Sequence, residues 1–352
     1  MKKAWLAFAF CAAMLDPAYG QGPAGPGGVP TYNSDVAPLL AGNCMQCHRP
    51  GQVAASLMRY EDARQLAKSI KDRVVDKSMP PWHADSKYGV FANERVLNEE
   101  QIKTIVSWAD AGTPRGDPRQ TPLLPEFSSG WPLGQPDVVV PILEEFTIPA
   151  GSPGGPDLHA TFEVFTTLPD DVWVVAAEIN SNPRVARGAT VLMEKERLVG
   201  GIPGAMYEVF PANSAKLLKA GSKLVISMHY RPAAETQKDR VSIGLMLAKG
   251  PVVWQIHSRA LDGKTPFVFP VDAELIEIMP RMGAAKDVTY SAAFPNNRAE
   301  ILLLVPTFDP NWQTTYELAQ PAPMPRGTRI NMTATVENGG AIEGWFDYRV
   351  RR

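Results

Sequence analysis

Two cysteines and a histidine lie within five consecutive residues, Cys44-Met45-Gln46-Cys47-His48. This spacing is typical of the attachment site of a c-type haem, because both thiols reach the vinyl groups along one edge of a single porphyrin. The adjacent histidine then lies beneath the iron as its proximal ligand. The alternatives are a free dithiol or half of a zinc site, but zinc needs about four ligands and no second cysteine pair exists. We predict one covalent haem c, attached to Cys44 and Cys47 and ligated by His48.

The N-terminus has the three parts of a secretory signal peptide, which we assign to residues 1–20. A basic start at Lys2 precedes an apolar run, Ala4 to Leu15, that is too short to span a membrane. Small residues around Gly20 suit a cleavage site. Cys11 as a lipoprotein anchor is the alternative, but bulky residues precede it. Export agrees with covalent haem, and we expect a periplasmic or secreted protein.

Composition and charge limit the classes of partner that the chain is expected to bind. The formal net charge is −2, so the chain lacks the net positive charge that is typical of proteins that bind nucleic acid or anionic membranes. Past the signal peptide, no run is long and apolar enough to cross a bilayer. We therefore expect a redox partner protein, no nucleic acid and no integral membrane segment in the mature chain.

A small all-α cytochrome c domain is predicted over residues 31–113, after a flexible Gly/Pro-rich spacer at 21–30. Apolar residues at helical spacing predict helices over 35–41 and 61–77. Asn98 and Gln101 have the form of a capping box that opens a third helix, which Gly112 and Pro114 end.

The sixth iron ligand is sought in the loop Met79-Pro80-Pro81-Trp82-His83. Met79 is favoured, because a following proline stiffens the backbone and a methionine ligand raises the reduction potential. His83 is the alternative distal ligand, Met58 is a third, and an open position is a fourth. We expect Trp82 to pack on the haem edge.

The second half of the chain is β-rich. A Pro/Gly-rich linker at 114–136 precedes short runs of branched residues separated by turn residues. Regular short strands over about 200 residues favour β-sandwiches, and the length suggests two, at 137–248 and 249–352. The clearest predicted strands are 172–175, 224–228, 242–246, 301–305 and 330–336.

Several motifs then resemble one family. They are MPPWHAD at 79–85, Gly134 to Val139, Val209 to Pro232, Met279 to Asp287, and Asn311 to Leu318. Together they resemble secreted bacterial fusions of a cytochrome c domain with a copper type II ascorbate-dependent monooxygenase module, similar to peptidylglycine α-hydroxylating monooxygenase. The resemblance implies two successive all-β jelly-roll sandwich domains, each with one copper site.

The resemblance also implies that the copper ligands are mostly lost. Of the six ligands in the family, His229 alone matches, in the motif His229-Tyr230. The family's His-His pair falls at Gly188-Ala189, its His-x-His pair at Arg281 to Gly283, and its methionine region is shortened to 338–342. One imidazole is not a copper site, and a guanidinium repels a cation. We therefore expect His229 to be vestigial, copper to be unlikely, and the isolated His159 and His257 to be partnered polar residues.

A cluster of three lysines gives no indication of a catalytic site. Lys216, Lys219 and Lys223 are predicted to form an exposed face of a strand–turn–strand unit, with a docking patch as the alternative.

The sequence thus predicts a periplasmic c-type cytochrome for haem-mediated electron transfer. Its degenerate monooxygenase-like module, a pseudoenzyme, acts as a binding or scaffold unit. The alternative is an active oxidoreductase, either copper- and ascorbate-dependent or working at an open haem site. A third hypothesis is a structural subunit in which haem is a folding staple.

Overall fold

The structure is a computed structural model that describes residues 28–128, 130–152, 155–283, 285–336 and 342–352. The predicted signal peptide and most of the spacer lie outside the described residues. The chain is mostly β-sheet and β-sandwich-like, with a few short helices near its N-terminus. None of the helices in the described ranges is long and apolar enough to cross a membrane.

The helices surround the Cys-x-x-Cys-His motif. A π-helical turn, Tyr32–Val36, continues into α1, and a 3-10 turn at Pro118–Gln120 follows the last helix. The predicted helix at 61–77 is two helices, because Leu66 leaves the helical conformation with φ −97° and ψ 4°. The α-helices are α1 (Ala37–Asn43), α2 (Tyr60–Gln65), α3 (Ala67–Val75) and α4 (Glu99–Asp110).

The capping box of α4 is confirmed. The Gln101 amide donates to Asn98 Oδ1 at 2.9 Å, and the Asn98 amide donates to Gln101 Oε1 at 2.9 Å. The helix buries Ile105 and Trp108, and the indole of Trp108 donates to the Pro114 carbonyl at 3.2 Å. A small apolar core of the helical segment thereby fixes the chain on either side of the cysteine motif.

The first sandwich packs two sheets face to face. One contains β3-β9-β5-β6, and the other contains β1-β11-β4-β8 with β7 paired to β4. The strands are β1 (Val138–Pro141), β2 (Phe146–Ile148), β3 (Leu158–Phe165), β4 (Val172–Asn180), β5 (Ala186–Met193), β6 (Glu196–Gly201), β7 (Tyr207–Val209), β8 (Ser214–Leu218), β9 (Lys223–Tyr230), β10 (Gln237–Asp239) and β11 (Ser242–Leu247).

The second sandwich has a sheet β12-β19-β14-β17 facing a sheet β13-β18-β15-β16. All five of the clearest strand predictions fall on strands of the structure. The strands are β12 (Trp254–Leu261), β13 (Phe267–Val268), β14 (Ala273–Pro280), β15 (Ala285–Ala293), β16 (Ala299–Val305), β17 (Tyr316–Met324), β18 (Arg329–Val336) and β19 (Gly344–Arg351).

One sheet runs through both sandwiches, because β8 pairs in parallel with β12. Charged side chains are buried at this junction. The Lys216 ammonium lies 2.5 Å from Asp347, and both side chains are fully buried. Arg197, also fully buried, contacts the carboxylates of Glu208 and Glu277. The prediction that Lys216 is exposed is therefore wrong; an acidic partner on a distant strand accounts for its burial.

The segment that follows the predicted ligand loop joins the second sandwich. Backbone hydrogen bonds of 2.8 Å connect Ala92 to Glu317 and Ala319 to Val90, so the segment extends the sheet beyond β17. The Trp82 ring packs edge-on against Tyr316 at 4.9 Å between centroids. The prediction that Trp82 packs on the haem edge is wrong, because its indole belongs to the apolar core of the second sandwich.

The junction generates a stability prediction. Replacing Lys216 by methionine roughly keeps the side-chain volume but removes the positive charge that balances the buried Asp347 carboxylate. We expect Lys216→Met to lower the free energy of unfolding by about 3–5 kcal/mol in urea titrations. The control Lys219→Met removes an exposed charge and is expected to change it by less than about 0.5 kcal/mol. Equal stabilities of the two variants would contradict the assigned role of Lys216.

Candidate functional site

The predicted haem residues line a single cavity of about 300 Å³, here called the haem-motif cavity. Cys44, Cys47 and His48 contribute one part of its wall, and Met79 contributes another. Much of the remaining lining is apolar, which suits the faces of a porphyrin. These apolar residues include Val53, Leu57, Leu66, Ile70, Val74, Pro80 and Pro81.

The imidazole of His48 is oriented by the backbone. Its Nδ1 donates a hydrogen bond to the Ala55 carbonyl at 2.8 Å. The chain itself is held by a hydrogen bond of 2.9 Å from the Leu57 amide to the His48 carbonyl. In a neutral imidazole, a proton held at Nδ1 by such a hydrogen bond directs the lone pair of Nε2 to a metal, as is usual for ligating histidines.

Both thiols are neutral in this environment. Burial raises the pKa of Cys44 to about 12. Burial also raises the pKa of Cys47, and this outweighs the opposing effect of Arg95, Arg49 and Arg187. Thiols of this kind do not suit a reactive dithiol, which needs an accessible thiolate. Two adjacent thiols, an imidazole with a free Nε2 and an apolar cavity fit a covalent haem.

The β module forms part of the same cavity. Cys47 Sγ lies 2.8 Å from the Pro203 carbonyl oxygen, and the Gln46 side chain donates to the Gly204 carbonyl at 2.8 Å. Pro203, Arg187 and Trp312 line the cavity beside the helical residues. The sequence predicts the haem site within residues 31–113, and no local pattern at Pro203, Arg187 or Trp312 indicates that these residues border it.

The candidates for the sixth ligand are placed apart. Met79 lines the haem-motif cavity together with His48. Met58 lines a neighbouring open groove of about 740 Å³. His83 is not among the residues that line the cavity; it is half-buried, and burial lowers its pKa against the opposing charge of Asp309.

A second concavity, here called the His159–His229 cleft, lies between the two sandwiches. Its volume is about 210 Å³. On its first-sandwich side, His229 of β9 is paired with His159 of β3 and with Gly188 of β5. On its second-sandwich side lie Met279 and Arg281 at the end of β14. Of the positions that the family resemblance assigned to copper ligands, Gly188, Ala189, His229 and Arg281 therefore line one cleft, and Gly283 is not among its lining residues. The positions at 338–341 lie outside the described residues.

His159 stands apart from other candidate residues in the sequence, but strand pairing brings it beside His229. Its ring stacks on that of His229, with 4.6 Å between centroids and 12° between the planes. The two residues are neighbours only through strand pairing, so their separation in sequence gave no indication of the contact. His257 does have polar surroundings, with Nδ1 3.3 Å from Glu196 Oε1.

His229 is engaged by an acid–base cluster. Its Nε2 lies 2.6 Å from Asp157 Oδ2, and Arg231 binds the same carboxylate with contacts of 2.7 and 2.9 Å. Burial lowers the pKa of His229, although the Asp157 carboxylate opposes the shift. Partial burial raises the pKa of Asp157, but hydrogen bonds from Arg231 and His229 outweigh this effect, so the pKa is lowered overall. In the part of the chain that the structure describes, no three His, Cys, Asp or Glu side chains are grouped as metal ligands.

Comparisons with known proteins give little further information. No family model and no curated protein matches the sequence. The solved structure of the major capsid protein P2 of bacteriophage PM2 has a TM-score of 0.30 and 12% identity, covering 59% of this chain and 98% of that one. The exported protein XepA of PBSX has a TM-score of 0.18 and 9% identity, covering 61% and 87%. Similarities at these scores carry no functional information.

The contact between the cysteine motif and the β module gives a prediction at Gly204. Its φ is +79°, and a Cβ there would lie 2.7 Å from the Gln46 carbonyl oxygen and 2.9 Å from Cys47 Sγ. Gly221 has a φ of +66° with nothing within 4 Å of the same atom. Alanine at either position is expected to lower the free energy of unfolding by about 1–2 kcal/mol, because the backbone is left-handed there. Gly204→Ala is expected to lower it by about 1–3 kcal/mol more, because the added Cβ overpacks the contact.

Urea unfolding of the two glycine variants measures this difference directly. Gly221→Ala is the matched control, since it shares the backbone strain and lacks the close approach. Equal destabilisation by the two substitutions would mean that the Cys47 turn does not lie against Gly204.

Proposed function

We propose that this chain is an exported c-type cytochrome that transfers single electrons through one covalent haem. The observation that carries the proposal is the convergence of Cys44, Cys47, His48 and Met79 on one largely apolar cavity. In this proposal residues 31–113 are a small all-α cytochrome c domain. The two sandwiches are jelly rolls of a degenerate copper monooxygenase module.

Each group of the cavity has a role in this function. Cys44 and Cys47 anchor the porphyrin, and His48, aligned by the Ala55 carbonyl, supplies the proximal nitrogen. Arg73 and Arg95 line the cavity and offer cations to the haem carboxylates. When bound, the haem supplies a one-electron iron couple, whose potential a thioether ligand such as Met79 raises.

The arrangement of the cleft argues against copper chemistry as the main function. Two imidazoles that bind one metal direct ring nitrogens at it, whereas His159 and His229 lie face to face. His229 Nε2 is bonded to Asp157. Arg187 and Arg281 bring positive charge to the same cleft. These features favour a binding or scaffold role for the β module, which meets the haem through Pro203 and holds the site for a redox partner.

Haem loading tests the proposal. The full chain is produced with haem-maturation machinery and copper, desalted, and assayed for iron, copper and haem that survives denaturing electrophoresis. We expect about one covalent haem iron per chain, reversible one-electron reduction, and loss of the covalent haem in Cys44→Ser/Cys47→Ser. Wild-type protein that acquires no covalent haem would overturn the proposal. Tightly held copper, about one per chain, would return the monooxygenase alternative.

The sixth ligand gives a separate prediction. Met79→Ala is expected to convert a six-coordinate low-spin ferric haem into a high-spin or water-ligated form and to lower its reduction potential, because the thioether is lost. Met58→Ala and His83→Ala are the controls and are expected to keep the wild-type absorption spectrum. A Met79→Ala spectrum identical to wild type, with a changed spectrum in His83→Ala, would assign the ligand to His83.

A further inference from the structure

The His159–His229 cleft contains two arginines whose guanidinium groups have no hydrogen-bonded partner among the described residues. Arg187 extends from β5 of the first sandwich, and Arg281 follows β14 of the second. Within the described residues, neither guanidinium forms a hydrogen bond or an ion pair with another side chain or the backbone. Arg187 Nε is fully buried and unsatisfied. Its remaining contact of note is a cation–π approach of 5.2 Å to Trp312.

Unpaired guanidinium groups are costly in such a position. Arginine stays protonated in proteins, so burial cannot be relieved by loss of a proton. A buried polar or charged group is normally compensated by a hydrogen-bonded or oppositely charged partner. No carboxylate is among the described residues that line the cleft. Of the two acids that act on Arg187, Asp157 is bound by Arg231 and His229, and Asp309 accepts hydrogen bonds from the Asn311 amide and side chain. Glu343, the acid that acts on Arg281, accepts a hydrogen bond from the Trp345 indole.

We propose that the His159–His229 cleft binds a small organic carboxylate between Arg187 and Arg281. A guanidinium presents a planar fork of N–H donors that matches a carboxylate, and two such forks reach the cleft from different sandwiches. Arg187 also lines the haem-motif cavity, whereas Arg281 lines the cleft alone. The proposal gives the β module a ligand of its own.

The remaining lining sets the kind of carboxylate. Ile202, Met228 and Met279 supply apolar surface beside the arginines. This favours a carbon-bearing anion over an inorganic one. The volume of about 210 Å³ is below the range of about 300–1,000 Å³ that is usual for drug-sized ligands. A short carboxylate or dicarboxylate therefore fits better than a peptide or a lipid.

Calorimetric titration of the full chain with succinate tests the proposal, with succinamide as the uncharged analogue of the same shape. We expect saturable one-to-one binding of succinate and no binding of succinamide. Arg281→Gln and Arg187→Gln are each expected to weaken succinate binding by about tenfold or more, since each removes a charge-assisted hydrogen bond. Arg184→Gln, at an exposed position outside the cleft, is the control and is expected to bind like wild type.

The outcomes separate the proposal from its rivals. No saturable binding of succinate at millimolar concentration would overturn it, as would binding that is unchanged in Arg281→Gln. Inorganic phosphate that binds as tightly, with the same dependence on Arg281, would overturn the assignment to an organic carboxylate. Urea unfolding without ligand is the check on folding: Arg281→Gln is expected to be at least as stable as wild type, and strong destabilisation would give Arg281 a structural role instead. Arg281 does not line the haem-motif cavity, so Arg281→Gln tests the cleft separately from haem binding.

Discussion

The close approach between the cysteine motif and the turn after β6 is the contact on which the proposed site depends. Cys47 Sγ lies against the Pro203 carbonyl, and Gly204 leaves no space for a side chain beside Gln46. The haem-motif cavity is therefore built from two parts of the chain. In the proposed cytochrome the β module would therefore contribute to the polarity, charge and access of the haem, which a self-contained cytochrome sets with its own helices.

Two further features fix the β module in place. The first is the sheet that continues from β8 to β12, with the buried charges of Arg197, Lys216 and Asp347 at the junction. Buried ion pairs are demanding, because each desolvated charge needs a well-placed partner, so the two sandwiches have little freedom to shift. The second is the segment from Trp82 to Asn93, which joins the edge of the second sandwich. The Met79 loop is consequently anchored on one side by the helices and on the other by β17.

Local patterns in the sequence predicted the local structure. The branched runs became strands, and the Asn98 capping box opened its helix as expected, because both signals act within a few residues. The single helix predicted at 61–77 is interrupted at Leu66, a residue that lines the haem-motif cavity. Each of these outcomes is decided by interactions between near neighbours and by burial.

Long-range pairing was not predictable in the same way. Lys216 was predicted to be solvated, but β19 carries Asp347 beside it. Trp82 was predicted to contact haem, but it packs against Tyr316 of β17. His159 looked isolated until strand register stacked it on His229. The Cys-x-x-Cys-His motif indicated which residues form the candidate site. It carried no information about the opposite wall, because Pro203, Arg187 and Trp312 have no distinctive local pattern.

Anomalous X-ray diffraction at the iron and copper absorption edges of the matured protein tests the account most directly. We expect one iron peak within the haem-motif cavity, ligated by His48 and bordered by Met79 and Pro203, and no copper peak between His159 and His229. An iron site remote from the β module would contradict the shared cavity. A copper peak in the cleft, ligated by those two histidines, would contradict the account of a degenerate monooxygenase module.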